Sequence, residues 1–323
     1  MIRFATVNDI EAIMTFIDTN WRKGHIMSRD RKLFEFQHLW TDEEVSFVLG
    51  EENSELKGIL GFIPYDKENR DITLAIWKTI KSQDTMLGVS MLRFLRENGR
   101  VHSIAVPGIN AKTMSIYNFL GYHTGEMRHW YRLNPCIKPA IAQINDSEIP
   151  KALTEKTPLI KNLQDFSASK ADWEACLHRD KQLYKSLDFV RRRYYEHPYY
   201  EYIKYGLVLD SEELILVFRI QSCNGSNALR LVDCIGDKKI FQFTTSLIDL
   251  LIQDLNCEYV DCYETGMSAE YFNLAGWKDV METNNIIPEY FSPFEQKNVH
   301  IYYMAEIEGT CIFKGDGDMD RPN

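Results

Sequence analysis

Residues 110–122 read Asn110-Ala111-Lys112-Thr113-Met114-Ser115-Ile116-Tyr117-Asn118-Phe119-Leu120-Gly121-Tyr122. Asparagine is among the preferred N-cap residues of helices, and glycine is the residue that most often follows a helix end. The stretch therefore predicts a short helix that begins after Asn110 and closes at Gly121. Tyr117 lies on that helix. A tyrosine on a short amphipathic helix can serve packing alone or carry a reactive hydroxyl.

A second informative stretch lies upstream, one predicted strand before Asn110. It reads Thr79-Ile80-Lys81-Ser82-Gln83-Asp84-Thr85-Met86-Leu87-Gly88-Val89-Ser90. We interpret it as a strand that runs into a loop, which opens a helix at Gly88. The first N–H groups of a helix have no partner within it and lie at the positive end of its dipole, so such a turn suits a pyrophosphate. Taken alone, it is equally an ordinary strand-to-helix turn.

Together, the two stretches resemble the GCN5-related N-acetyltransferase (GNAT) superfamily. Its pattern is a cap Asn, a helix and Leu-Tyr-Glu-Lys-Leu-Gly-Phe, which stands here as residues 116–122. The family's loop Arg/Gln-x-x-Gly-x-Gly/Ala falls on Thr85-x-x-Gly88-x-Ser90, and the chain departs from it at Thr85 and Ser90. The resemblance covers about residues 1–133. It implies acetyl-CoA as the co-substrate.

The resemblance also assigns roles to particular positions. It implies that Tyr117 protonates the leaving thiolate and that a backbone N–H near Ile76 and Trp77 stabilises the oxyanion. The residues that it places around the coenzyme are Ile76, Trp77, Lys78, Thr79, Thr85, Met86, Leu87, Gly88, Val89, Ser90 and Asn110.

Residues 21–38 follow the first predicted helix, in the region that commonly shapes the acceptor pocket of GNAT proteins. They are rich in aromatic and hydrogen-bonding side chains. His25, Glu35 and His38 are the candidate general bases, because each could take a proton from an ammonium acceptor near neutral pH. The alternative is a surface helix with solvated histidines.

Residues 21–38 and two short strings, residues 193–198 and 314–323, resemble acetyltransferase-like proteins encoded with bacterial surface-polysaccharide genes. That resemblance implies an amino sugar, nucleotide-linked, as the acceptor. Arg191-Arg192-Arg193 either grips a diphosphate or packs a helix end between domains. Asp316-x-Asp318-x-Asp320 has calcium-loop spacing but lacks the closing Glu, so we predict no metal site.

The order of predicted elements is a mixed α/β arrangement (α+β, with a mixed sheet). Residues 271–277, Tyr271-Phe272-Asn273-Leu274-Ala275-Gly276-Trp277, match residues 116–122 in register, with Phe272 at the position of Tyr117. We therefore predict a first GNAT domain (1–135), a linker (136–165), a second, degenerate GNAT-like domain (166–310) and a C-terminal tail (311–323). Coincidental similarity between two α/β elements is the alternative.

Composition narrows the class of protein. The chain has 323 residues, 45% hydrophobic and 26% charged, with a net charge of −10. An acidic chain without a long basic stripe predicts no nucleic-acid partner. Seven scattered cysteines without a Cys-x-x-Cys pair predict reduced thiols, and no stretch predicts a secretory signal or a membrane span. We expect a cytoplasmic protein and a possible homodimer.

The sequence thus predicts an N-acyltransferase that moves an acetyl or short acyl group from acetyl-CoA to an amino sugar in surface-polysaccharide biosynthesis. One alternative is an aminoacyl transferase of the tandem-GNAT type that builds peptidoglycan bridges. The other is a catalytically inactive binding module, which the departures at Thr85 and Ser90 keep open.

Overall fold

The computed structural model describes residues 1–66, 70–154, 156–179 and 183–322. Its strands are β1 (Ile2–Thr6), β2 (Glu44–Glu52), β3 (Glu55–Pro64), β4 (Ile72–Thr79), β5 (Ile104–Ile109), β6 (His123–Glu126), β7 (Arg128–Leu133), β8 (Leu159–Asn162), β9 (Ile203–Leu209), β10 (Glu212–Cys223), β11 (Ser226–Gly236), β12 (Cys257–Thr265), β13 (Lys278–Asp279), β14 (Tyr290–Phe291), β15 (Phe294–Glu295), β16 (Tyr302–Ala305) and β17 (Ile312–Phe313). Its α-helices are α1 (Ile10–Phe16), α2 (Ile26–Arg29), α3 (Arg31–His38), α4 (Leu87–Asn98), α5 (Met114–Phe119), α6 (Phe166–Leu177), α7 (Leu187–Tyr195), α8 (Thr245–Asp254) and α9 (Ala269–Leu274).

The first sheet has seven strands in the order β1-β2-β3-β4-β5-β16-β6. Only β4 and β5 pair in parallel, so the sheet is mixed. Alternate residues of its strands enter two different cores, as the two-residue period of a strand requires. Phe47 and Leu49 of β2 pack with α1–α3 on one face, and Val48 packs with α4 on the other. The mixed α/β class predicted from the sequence is confirmed.

The second sheet has the order β13-β7-β12-β11-β10-β9-β8. Read from β8, this is the strand order of the first sheet, and its parallel pair, β11 and β12, stands where β4 and β5 stand. The two halves also exchange a strand. β16, from the second half, lies between β5 and β6, and β7, from the first half, lies between β12 and β13.

The segments predicted as linker and tail are both integrated into this structure. Within the linker, β8 pairs with β9, and the N–H groups of Ala140, Ile141 and Ala142 donate to the carboxylate of Glu258. Within the tail, β17 pairs with β12. Glu155 and Asn323, which belong to these two segments, lie outside the described residues. The division into domains at residues 135 and 166 remains a prediction, since the strands cross it.

The tail carries buried acids that bind cations of the second half. Asp316 binds Lys185 at 2.9 Å, and Asp320 binds Arg219 at 2.6 Å. All four side chains are buried. Because an unpaired buried charge is costly, these pairs fix the path of the chain between the two sheets.

Candidate active site

A gap opens between β4 and β5 of the first sheet. These strands pair only at Ile72 with Ile104 and at Thr73 with Ala105, although β4 continues to Thr79. In the same stretch β4 has one residue more than β3, because Leu60 pairs with Trp77 whereas Phe62 pairs with Leu74. Such a bulge bends a strand and leaves backbone groups unpaired by the neighbouring strand. The backbone near Ile76 and Trp77 therefore lies where a ligand could use it.

The gap leads into a cleft of about 590 Å³ between the two halves. The first half contributes three residues predicted for the site, Trp77, Asn110 and Tyr117. Trp21, Arg22 and residues 106–109 of β5 also line it from the first half, and strand β16, the loop around Tyr290, the tail, β10 and β11 line it from the second. The volume falls in the range of small-molecule sites.

Tyr117 is held by aromatic packing. Its ring lies 5.5 Å from the ring of Trp77 and 6.0 Å from that of Tyr122, and only 3% of the residue is exposed. Burial raises the pKa of Tyr117 above its ordinary value, with a smaller effect from Tyr122. No described residue hydrogen-bonds its hydroxyl, so a protonated phenol is available at the cleft as a donor. This geometry suits the general acid that the sequence predicts.

Asn110 has the capping role predicted for it. Its Oδ1 accepts from the N–H of Lys112 at 2.9 Å, which starts the turn before α5. Gly121, at φ 88°, ends the segment in the left-handed conformation that glycine adopts most easily. The helix predicted between these two residues is present.

The predicted pyrophosphate loop is occupied by a carboxylate of its own. Asp84 accepts from the N–H of Met86 at 2.8 Å and from the hydroxyl of Ser90 at 3.3 Å. Glu52 accepts from the N–H of Gln83 at 3.0 Å. Helix α4 nevertheless begins at Leu87, as the sequence predicts to within a residue. The amides at this turn are therefore partly satisfied before any ligand arrives.

Gly88 is required by packing against Trp77. A Cβ atom at position 88 would lie 3.2 Å from the indole ring, which is tighter than an ordinary contact. Trp77 thus lies against the turn and also lines the cleft.

The other residues predicted around the coenzyme are spread along β4 and α4. Lys78 and Thr79 pair with β3 and are half-buried. Ile76 and Leu87 are buried in the two cores. The rest lie at the surface of the turn or the first turn of α4: Thr85, Met86, Val89 and Ser90.

Because the Asp84 carboxylate occupies the turn, we expect Asp84→Asn to tighten acetyl-CoA binding. The amide keeps an acceptor for the Met86 N–H and removes a charge that repels phosphate. A charge effect of about 1 kcal/mol at a solvated site corresponds to about fivefold in Kd. Calorimetry with acetyl-CoA measures it, and Glu97→Gln, at the exposed far end of α4, is the matched control. Unchanged or weaker binding by Asp84→Asn would mean that the coenzyme phosphates lie elsewhere.

The three predicted general bases lie outside the lining of the cleft. Glu35 is bound to Arg31 at 2.6 Å on the surface of α3. His38 is fully buried beside Phe47, with Nδ1 2.9 Å from the hydroxyl of Ser46. His25 caps α2 through the N–H of Met27 and packs beneath Trp21, which does line the cleft. None of the three is brought next to Tyr117.

Buried histidines make the fold sensitive to acid. Burial lowers the pKa of His25, His38 and His197 from 6.5 to about 3 in each case. Between these values the unfolded chain binds protons that the native chain does not, so stability present above pH 6.5 is lost as the pH falls. The cost is about 1.4 kcal/mol per pH unit for each residue. Burial raises the pKa of Glu264 to about 7, which acts in the opposite direction.

From pH 7.0 to 5.5, these three histidines lower the free energy of unfolding by about 4 kcal/mol and Glu264 raises it by about 2 kcal/mol, so we expect a net loss of about 2 kcal/mol. His129 adds to this loss, because burial also lowers its pKa. Urea unfolding followed by tryptophan fluorescence measures this loss. His123→Gln, at an exposed position, should show the same pH dependence as the unchanged protein. A free energy of unfolding that stays constant over this range would contradict the neutral state of the buried imidazoles.

One titratable pair at the cleft was not predicted from the sequence. Nδ1 of His300 lies 2.5 Å from Oε1 of Glu126, and His300 lines the cleft. Both side chains are about half-exposed. The two residues meet because β16 pairs with β6, an exchange between halves that no local pattern signals.

The turns at residues 271–277 and 116–122 have the same backbone hydrogen bond. Tyr122 N–H donates to Tyr117 C=O, and Trp277 N–H donates to Phe272 C=O, both at 3.0 Å. The ring planes of each pair meet at 86°. Gly276, like Gly121, has a positive φ.

The second sheet lacks the open gap of the first. Pairing of β11 with β12 ends at Leu231 with Cys262, and the tail fills the space beyond. Lys314 N–H donates to Tyr263 C=O at 3.2 Å, and Gly315 N–H donates to Val232 C=O at 2.7 Å. Phe272 is buried against Trp130 at 4.6 Å and has no hydroxyl. The described residues leave no room for a second coenzyme between these strands.

Residues 191–193 lie on α7, where Arg192 and Arg193 are engaged in packing and Arg191 is exposed. Arg192 donates to the carbonyls of Glu35, Phe36 and Leu39, which ties α7 to the first half. Arg193 is buried and donates to the carbonyl of Asp320 at 2.8 Å. This is the second of the two roles considered for these arginines.

No described helix is long and apolar enough to cross a membrane. The arrangement of the first sheet, with its diverging parallel pair and its helices on both faces, is the GNAT fold. Known structures agree. A GCN5-related N-acetyltransferase from Anabaena variabilis is similar over 94% of this chain and 72% of its own, with a TM-score of 0.57 at 10% identity.

A second similar structure is a conserved protein of unknown function from Enterococcus faecalis, described as a probable N-acyltransferase. It matches 94% of this chain and 71% of its own, with a TM-score of 0.54 at 9% identity. At such identities the likeness establishes the fold alone. No family model and no curated protein sequence matches the chain.

Proposed function

We propose that the protein is an N-acyltransferase that moves an acyl group from acyl-CoA, acetyl-CoA in the simplest case, to the amine of a small acceptor. The observation that carries this proposal is the gap between β4 and β5, which opens into a cleft holding the buried, protonated Tyr117. The probable N-acyltransferase from E. faecalis shares the fold and supports the same reaction class. An amino sugar, nucleotide-linked and used for surface polysaccharide, is the acceptor that the sequence favours.

The chemistry needs a thioester, which acyl-CoA supplies when bound along β4. The acceptor nitrogen bonds to the carbonyl carbon, and the carbon–sulfur bond breaks. A backbone N–H near Ile76 and Trp77 then stabilises the oxyanion. Tyr117 gives its Oη proton to the leaving sulfur, and His300, oriented by Glu126, takes the proton that the ammonium loses.

We further propose that residues 166–310 form a second, degenerate GNAT unit. The shared strand order and the matching turns at Gly121 and Gly276 support a duplication. Phe272 and the filled gap between β11 and β12 support the loss of any catalytic role there.

Asp84 favours one alternative, a protein with this fold that no longer binds coenzyme A. Its carboxylate satisfies groups that a pyrophosphate would otherwise use. The aminoacyl transferase alternative has no comparable support in the described residues.

Thiol release from acetyl-CoA, measured against a panel of amines that includes nucleotide-linked amino sugars, tests the enzyme proposal. We expect turnover with at least one amine and a fall in kcat of at least tenfold for His300→Gln. His123→Gln is the matched control, since it replaces an exposed histidine of β6. Absence of acetyl-CoA binding by both the unchanged protein and Asp84→Asn would favour the inactive alternative.

A further inference from the structure

Cationic side chains are concentrated in the cleft of this acidic protein. We call five of its lining residues the cationic wall: Arg22, Arg219, Arg230, Lys314 and Arg321. The acids that line the same cleft are Glu289 and Asp318. Two further acids outside the lining, Asp320 and Asp261, pair with Arg219 and Arg230, so the wall and its counter-ions keep an excess of one positive charge in a chain of net charge −10. Low-dielectric walls of one sign attract ligands of the other.

Lys314 shows that the wall has unused hydrogen-bonding capacity. Its ammonium group donates to Oε1 of Glu289, a carboxylate that also accepts from Arg230 at 2.7 Å. Lys314 is only 5% exposed, and an ammonium group has three donors. Two of them have no partner among the described residues. Burial lowers the pKa of Lys314, and the neighbouring charge of Arg230 lowers it further, whereas Glu289 opposes both effects.

Arg219 also has hydrogen-bond donors without a partner among the described residues. It donates to Asp320 through Nε and Nη2 and to Gln221 through Nη1, which uses three of its five N–H groups. The guanidinium lies 4.1 Å from the centre of the Tyr200 ring, and this cation–π contact helps to hold it in place. A fixed guanidinium with free N–H groups suits a planar or tetrahedral oxyanion.

Two arginines of the wall are more accessible. Arg22 is exposed, and no described acid pairs with it. Arg321 reaches only Asp318, with Nε 3.4 Å from Oδ2. They belong to two segments that meet at the cleft, the turn after Trp21 and the tail.

We propose that the cationic wall binds an oxyanion, a phosphate or a carboxylate, carried by the acceptor. The acceptor is then an anionic amine, with its amine directed toward Tyr117 and its oxyanion held by the wall. This rests on the proposed function for the identity of the ligand as acceptor. Coenzyme phosphates bound at the turn around Gly88 would not compete, since residues 84–90 are not among those that line the cleft.

The binding step can be measured without any enzymatic activity. Inorganic phosphate and malonate serve as probes in calorimetry at low ionic strength, because salt screens such contacts. We expect binding of at least one of the two probes. Arg22→Gln/Arg321→Gln should weaken it at least tenfold. Lys23→Gln/Lys151→Gln removes the same charge from exposed positions outside the cleft and should leave it unchanged.

The two probes distinguish the sources of the oxyanion, since preference for phosphate points to a phosphorylated acceptor and preference for malonate to a carboxylated one. Ethanolamine, O-phosphoethanolamine and β-alanine then serve as matched amines for thiol release, and we expect the anionic pair to exceed ethanolamine at least tenfold in kcat/KM.

No detectable probe binding, or equal binding by the two double variants, overturns the proposal. Probe binding that persists without any acetyl-CoA binding would instead overturn the proposed function and leave the anion site standing.

Discussion

Tyr117→Phe should lower kcat for thiol release from acetyl-CoA by at least a hundredfold while leaving the Kd for acetyl-CoA nearly unchanged. General acid catalysis by a positioned side chain contributes about 10²- to 10⁴-fold to rate. The substitution removes only the hydroxyl. That hydroxyl has no hydrogen-bond partner among the described residues, so the packing against Trp77 and Tyr122 remains. Steady-state kinetics with the best amine of the panel, together with calorimetry, separate the two effects.

Tyr122→Phe is the matched control for this experiment. Tyr122 contacts Tyr117 edge to face and is only partly buried, and it is absent from the lining of the cleft. We expect its loss of a hydroxyl to change kcat by less than threefold. A fall in kcat of equal size in both variants would indicate a packing effect, and an unchanged kcat in Tyr117→Phe would remove Tyr117 from the mechanism.

Asp320→Asn should reduce the free energy of unfolding by about 3 kcal/mol or more, because it leaves buried arginines without a counter-ion. Burial alone would raise the pKa of Asp320, but the charges of Arg219 and Arg193 lower it below its usual range. The carboxylate also accepts from the hydroxyl of Tyr202 at 2.8 Å. Urea unfolding at pH 7, followed by tryptophan fluorescence, measures the loss.

Asp318→Asn tests whether the effect depends on burial. It makes the same chemical change two residues away, where the carboxylate is 3.4 Å from Arg321 and each side chain is 15% exposed. Partly solvated pairs contribute about 0–1 kcal/mol, so we expect little loss. Equal losses in the two variants would mean that the tail is stabilised by something other than its buried ion pairs.

Local sequence patterns predicted parts of the fold. The β2–β3 hairpin was predictable from two runs of apolar residues separated by a polar turn, and it is present. The helix α5 was predictable from its cap at Asn110 and its end at Gly121. Both signals depend on residues near one another in sequence, so they need no knowledge of the rest of the chain.

The candidate site was predictable only in part. Trp77, Asn110 and Tyr117 reach the cleft as a family motif would place them. The acceptor side was not predictable, since His300 and Glu126 are 174 residues apart and become neighbours only because β16, which follows His300, pairs with β6. Likewise, nothing in the sequence distinguishes Asp84 as the side chain that accepts from the turn.

The sequence by itself determined the β2–β3 hairpin, the short helix with its tyrosine and the mixed α/β class, because hydrophobic period and capping act over a few residues. Only the tertiary structure decided which half supplies β7 and β16, which acids pair with the buried arginines and which cations surround the cleft. These features depend on contacts between distant segments, whose free energy is set by desolvation and pairing once the chain has packed.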